Sequence, residues 1–353
     1  MSKEAFTSVP SPVEFSGAMQ QAWRQAALAA GDGVDRDYRI GGCVIRLRHA
    51  GPALIPALSS ALAHLEQSPV EVTPDLTIHL WDTQSSGISL PYVSIWNDCT
   101  ERGAVRAFAG SGLSATRLQA AGVCSLWDPE RQLAFYWARS ANDVPGYERG
   151  APLRGLLHAW WRERHGLLLH AAAVGAGGAG ALLVGRGGVG KSTSALACLA
   201  AGMQYVSDDY CLLKHYPDPM LHSLYSTAKL HASDLQLFPA LRPLVANPGE
   251  LGEEKALCFL HPQASLQIAS QLRLTAILLP RVTGKRDTRL VPASGMDALC
   301  ALAPSALMQL PDAGAAELTH LRQVVTRVPC YWLEAGTELP QIPAQVREAI
   351  GHA

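Results

Sequence analysis

Nine consecutive residues, Gly185-Arg186-Gly187-Gly188-Val189-Gly190-Lys191-Ser192-Thr193, have the types and spacing of a phosphate-binding loop. They satisfy G-x-x-x-x-G-K-[ST]. Glycines let such a loop wrap phosphate oxygens with its backbone N–H groups turned inward. A helix opening at the end of the loop adds the positive end of its dipole. The Lys191 ammonium suits the β- and γ-phosphates of ATP, and the Ser192 hydroxyl is a ligand for Mg2+. Further along, Ser207-Asp208-Asp209 puts two carboxylates side by side. Adjacent carboxylates repel each other. The pair therefore points to a metal ion, or to a substrate hydroxyl that needs a base; an ordinary acidic turn is the plain alternative.

These residues need particular elements around them. Ala181–Val184 reads as a short apolar strand entering the loop, and Ser194–Ala201 as a helix stopped by Gly202. Met203–Val206 then leads to the acid pair. Neighbouring residues on a strand point to opposite sides, so Asp208 and Asp209 need not share a role. Leu167–Val184 is 18 residues without a formal charge, near the lower limit for a membrane span. Its Gly175, Gly177, Gly178 and Gly180, with His170 near the start, read instead as a turn between two buried strands. Leu153–Arg164 is expected to be a helix with Leu156, Leu157, Trp160 and Trp161 on its apolar side.

Before residue 150, β-like runs recur at Tyr38–Leu47, Leu76–Trp81, Tyr92–Trp96, Val105–Ala109, Val123–Trp127 and Leu133–Ala138, separated by turn residues. Ala53–Leu65 shows helical spacing of Leu54, Leu58, Leu62 and Leu65. Asn142–Gly150 is polar with Pro and Gly and reads as a linker. The Trp residues lack an accompanying basic stripe and read as core, not as a stacking platform.

Composition narrows the classes. The chain has 353 residues, 48% hydrophobic and 17% charged, with net charge −1. That fits globular domains and gives no bulk attraction to nucleic acid or anionic membrane. Eight cysteines are scattered without a CxxC pair or zinc-like spacing. The first residues lack an apolar h-region, so a cytoplasmic location is the expectation.

From His170 through the loop to Asp208-Asp209, the sequence resembles the HPr kinase/phosphorylase family and its wider set of related peptide kinases. In that family a His opens the strand hairpin before the loop, and paired Asp residues follow the loop's helix. Here His170 stands 15 residues before Gly185, and Asp208 stands 17 after Lys191. The resemblance implies that Asp208 is the general base or acid, that Asp209 lies near the metal and phosphates, and that His170 lines the site. By residue type alone, His170 also reads as a core histidine. The likeness continues more weakly to about Pro340, through a strand at Leu274–Leu279 and helices at Met296–Leu310 and Leu318–Val328. Residues 1 to about 150 have no counterpart in it.

The family's Glu- and Arg-Gly-containing signature loop is missing. Ser223–Leu230 and His231–Pro239 stand there instead. They resemble HPr-kinase-related enzymes of peptide natural-product clusters, such as lasso peptide kinases. This implies a peptide acceptor and no efficient phosphorolysis. Lys229 and Lys255 are candidate phosphate or substrate contacts.

The expectation is thus an α/β P-loop kinase domain, HPr-kinase-like, over residues 151–345, preceded by a small α+β domain over 1–150 that positions the acceptor. The cofactors are ATP and Mg2+, the latter held by Ser192 and Asp209. The acceptor is a Ser hydroxyl of a peptide or protein. Neither nucleic acid nor membrane is a partner, and a homo-oligomer is left open. Two other readings remain: a small-molecule kinase using the same site, and a non-catalytic nucleotide-binding sensor.

Overall fold

The structure, a computed structural model, describes residues 9–31, 33–69, 73–118, 122–307, 309–311 and 313–351. The first part of the chain holds α1 (Pro12–Ala29), β1 (Val34–Ile40), β2 (Cys43–His49), α2 (Ile55–Ser59), β3 (Glu66–Gln67), β4 (Leu76–Asp82), α3 (Thr83–Ser86), α4 (Val93–Asn97), β5 (Ser114–Leu118), β6 (Val123–Asp128) and β7 (Leu133–Ala138). Its strands form one sheet in the order β3-β1-β2-β4-β7-β6-β5. Helix α1 carries a start signal in its sequence. Ser11 caps it, Pro12 occupies the first turn, and the Glu14 side chain returns to the Ser11 backbone. Its Phe15, Met19, Ala22 and Ala26 lie on one face and pack with Trp81, Trp96 and Phe108.

The rest of the chain holds α5 (Gly146–Arg149), α6 (Arg154–Arg162), β8 (Gly166–Leu169), β9 (Ala172–Ala176), β10 (Ala179–Leu183), α7 (Lys191–Ala200), β11 (Gln204–Ser207), β12 (Cys211–Lys214), β13 (Met220–Ser223), β14 (Thr227–Leu230), β15 (Ala256–Phe259), β16 (Gln271–Val282), β17 (Arg289–Pro292), α8 (Gly295–Leu307), α9 (Ala315–Val325), β18 (Cys330–Ala335) and α10 (Gln341–Gly351). A nine-stranded sheet runs β11-β9-β10-β16-β13-β12-β8, with β18 also on β16 and β17 on β18. Strands β10, β16 and β18 are parallel, so their carboxyl ends open on one edge. That edge is where open α/β sheets bind ligands. Helices α7 and α10 cover one face of this sheet, and α8 and α9 the other. The fold is a mixed α/β, sheet-rich one.

Several local expectations are corrected. Tyr38–Leu47 is two strands, because Gly41 and Gly42 both take positive φ and turn the chain into the β1–β2 hairpin. Tyr92–Trp96 falls in the short helix α4, and Val105–Ala109 contains a 3-10 turn at Arg106–Phe108. Trp96 and Phe108 are buried against Phe15, which rewards inward-pointing turns there over strand alternation. Ala53–Leu65 is helical but broken into 3-10, α and 3-10 pieces. All four of its spaced leucines are buried.

Asn142–Gly150 is not a loose linker. It contains α5, and Glu148 there is only 2% exposed. Arg154 lies 3.4 Å from the Glu148 carboxylate, and the Leu153 N–H donates to it. Leu167–Val184 forms β-structure, and among the described residues no helix is long and apolar enough to cross a membrane. Met308, in the expected Met296–Leu310 helix, lies outside the described residues. Helix α10 runs past residue 345, and its Ile342, Val346, Ala349 and Ile350 are part of the core around α7. The described residues form no disulfide.

One core cluster crosses the chain's two parts. It joins Tyr38, Ile45, Leu58 and Leu62 to Leu157, Trp160, Trp161, Leu212 and Tyr225. Burying each such side chain is worth roughly 1.5–3 kcal/mol. Exposing five of them approaches the ~5–15 kcal/mol that holds a whole domain together. A fragment of residues 151–353 is therefore expected to aggregate or to bind a hydrophobic dye strongly. Size-exclusion chromatography and dye fluorescence check this; a soluble fragment with a cooperative melt would contradict it.

Candidate active site

Strand β10 hands the chain to the glycine-rich loop. The Val184 N–H donates to the Leu278 carbonyl of β16, which fixes the loop's entry. Gly185, Gly188 and Gly190 have φ of 140°, 82° and 101°. Side chains rarely adopt such angles, so glycine is required there. A Cβ on Gly185 would also come within 3.0 Å of the Val189 side chain. Helix α7 begins at Lys191, and the first N–H groups of a helix have no partner within it. The loop and the helix start together form a cradle for an anion.

Lys191 is 7% exposed and folds back over the loop. Its Nζ donates to the Gly185 carbonyl at 2.7 Å and to the Arg186 carbonyl at 3.1 Å. Burial pushes its ammonium pKa down, while Asp208 and Asp209 pull it back up.

The acid pair follows β11. Ser207 donates to the Tyr210 carbonyl, closing the turn that presents both carboxylates. Asp208 is 3% exposed. Its Oδ2 accepts the Lys229 backbone N–H at 3.0 Å, and its Oδ1 is buried without a hydrogen-bond partner. Burial raises its pKa and the Asp209 charge adds to this, against the Lys229 N–H and the nearby Ser192 hydroxyl.

Asp209 is engaged on both oxygens. His170 Nε2 lies 3.1 Å from Oδ1, and Lys229 Nζ lies 2.6 Å from Oδ2. Burial would raise its pKa, but the Lys229 ammonium and His170 outweigh that and hold the carboxyl well below the usual range. His170 sits between β8 and β9 with its ring 5.4 Å from the Tyr210 ring.

One cavity of about 290 Å3 is lined by His170, Gly187, Gly188, Gly190, Lys191, Ser192, Thr193, Asp208, Asp209, Lys229 and Lys255. Gly185 and Arg186 take part through their carbonyls, and Val189 packs on Gly185. The Arg186 side chain is exposed and does not line the cavity. Leu230, His231, Asp234 and Val282 line it without a sequence signal that singles them out. The Tyr147 carbonyl, which accepts from Lys229 Nζ at 3.2 Å, lies in the segment expected to be a linker.

Among the described residues, no group of three or more His, Cys, Asp or Glu side chains could hold a metal by itself. A Mg2+ ion does not need one, since it keeps waters and takes one or two carboxylates plus phosphate oxygens. Asp208, with an Oδ1 that accepts no hydrogen bond and the Ser192 hydroxyl near its carboxylate, fits that requirement.

No family model matches the chain, and no curated protein matches it. Among solved structures, the HPr(Ser) kinase/phosphatase from Coxiella burnetii is similar over 51% of this chain and 94% of that one, with 14% identity and a TM-score of 0.29. The chain is a mixed α/β protein with a distant structural likeness to that kinase/phosphatase.

Proposed function

We propose that this chain is an ATP- and Mg2+-dependent kinase that transfers the γ-phosphoryl group to a hydroxyl, a Ser of a peptide or protein. The observation that carries this reading is the convergence of two sets of groups on one cavity. The anion cradle with Lys191 and Ser192 stands on one side, and two buried carboxylates in unlike environments stand on the other. Phosphoryl transfer needs mainly positioning and charge stabilisation, which these groups supply. A passive nucleotide sensor has a use for one carboxylate as a Mg2+ ligand, but none for a second one held between Lys229 and His170 in the same cavity.

The geometry favours a division of roles opposite to the one implied by the family resemblance. Asp208 has an oxygen without a hydrogen-bond partner, and Ser192 is near its carboxylate, so Asp208 and Ser192 would hold Mg2+. Bound there, the ion would neutralise phosphate charge. Lys229 and His170 favour the ionised form of Asp209, and His170 Nε2 lies 3.1 Å from its Oδ1, so this pair would accept the acceptor's O–H and orient its oxygen for in-line attack. A low-pKa carboxylate is a weak base, but a loose transition state asks for little proton transfer before the new bond forms.

The test is direct. The whole chain is incubated with Mg·ATP and the peptides encoded beside its gene, and the products are read by mass spectrometry. One added phosphoryl group on a Ser is the expected result. Absence of Mg·ATP binding in calorimetry would remove the reading.

A further inference from the structure

The cavity brings Lys191, Lys229, Lys255 and His170 against Asp208, Asp209 and Asp234. Lys191 has a role at the cradle and His170 one beside Asp209, while the ammonium groups of Lys229 and Lys255 are unassigned. Lys229 is held from both ends. Its β14 backbone pairs with Leu257 of β15, and its N–H donates to Asp208. Its side chain, 15% exposed, reaches Asp209 Oδ2 at 2.6 Å and the Tyr147 carbonyl at 3.2 Å. The stem passes Gly150 so closely that a Cβ there would lie 2.5 Å from Lys229 Cε. Thr227 holds that glycine's carbonyl at 2.9 Å. A lysine stem loses considerable rotamer freedom when ordered this way.

Its position has a consequence for the transfer proposed above, on which this inference rests. A hydroxyl donating to Asp209 sits about 2.7 Å from the carboxylate. Donated to Oδ2, which lies 2.6 Å from Lys229 Nζ, such an oxygen would lie within about 5.3 Å of that ammonium, with the phosphorus bonding to it about 2 Å further, a gap that a swing of the ammonium end alone narrows to contact.

We propose that Lys229 is a catalytic residue whose ammonium contacts the phosphoryl group in flight from the acceptor side, opposite Lys191. The acceptor oxygen forms its bond to the γ-phosphorus as the bond from that phosphorus to the β,γ-bridging oxygen breaks. ADP leaves with the electron pair, the acceptor's proton passes to the Asp209–His170 pair, and Lys229 keeps its own protons throughout. A cation that meets charge developing on the transferring group acts mostly in the transition state and little in the ground state.

The test uses the full chain with Mg·ADP alone and with Mg·ADP plus fluoroaluminate, a mimic of the transferring phosphoryl group. Lys229→Met keeps the stem and the backbone N–H, and Lys229→Arg keeps the charge. In calorimetry, Lys229→Met should bind Mg·ADP within about twofold of the unsubstituted protein. The extra tightening given by fluoroaluminate should fall by roughly 100-fold, the scale seen when one transition-state donor is removed. Lys229→Arg should regain most of it. Undiminished tightening in Lys229→Met would reduce Lys229 to a tie between α5 and β14 and overturn the proposal. If the unsubstituted protein binds no Mg·ADP at all, the kinase reading itself fails, a result distinct from failure at Lys229.

Discussion

Lys191→Ala is expected to abolish phosphoryl transfer and to weaken Mg·ATP binding by roughly 30-fold or more. The estimate rests on the loss of one desolvated charge contact, about 2–5 kcal/mol, with each 1.4 kcal/mol worth tenfold. The resting geometry sharpens the expectation. Nζ is occupied by two loop carbonyls, Gly185 and Arg186. Binding must therefore exchange two neutral contacts for phosphate oxygens carrying full charge, and charge-assisted hydrogen bonds are the stronger kind. Removing the side chain also removes a cation near Asp208 and Asp209, which raises the charge repulsion an incoming nucleotide meets. Calorimetry with Mg·ATP, beside a circular-dichroism spectrum to verify the fold, gives the answer. Near-normal affinity in a folded variant would mean that phosphate binds elsewhere.

The loop's shape is legible in the sequence because consecutive residues set it: glycines where φ is positive, then a lysine and a hydroxyl at the start of α7. Asp208, Asp209 and His170 were also visible as residue types, and they meet in space. Their contacts were not visible. Which carboxylate keeps a free oxygen depends on β14, whose Lys229 supplies an N–H to one and an ammonium to the other. That pairing joins residues about twenty positions apart, with β12 and β13 between them, and has no sequence signature. Short apolar runs misled for a related reason. Five residues such as Tyr92–Trp96 carry too few periods to separate strand from helix, and the burial of Trp96 against Phe15 decides it from α1. The Asn142–Gly150 segment has the composition of a linker. It is fixed by Glu148 with Arg154, and by Tyr147 holding Lys229, tertiary contacts that composition does not encode.

The two aspartates separate the alternative mechanisms. With Asp208 as metal ligand, Asp208→Asn should lower turnover at moderate Mg2+ and shift the Mg2+ requirement upward, with partial recovery at saturating ion. An amide oxygen is a poorer ligand than a carboxylate, but it still occupies the position. The same substitution should leave the free protein at least as stable as before. Burial and the neighbouring charge of Asp209 already disfavour ionised Asp208, and an amide can still accept the Lys229 N–H. Asp209→Asn should behave differently. Turnover should fall by about 10², the lower end of the worth of a positioned proton acceptor because the transition state is loose, at every Mg2+ concentration and with Mg·ATP affinity little changed. It should also lower the melting temperature, because the part-buried Lys229 ammonium loses its charge partner and His170 loses its carboxylate contact. Turnover, nucleotide affinity and melting temperature measured for both variants across a Mg2+ titration test the assignment. If Asp208→Asn loses turnover at all Mg2+ levels while Asp209→Asn only shifts the Mg2+ requirement, Asp208 is the group that orients the acceptor. The division then returns to the one implied by the family resemblance.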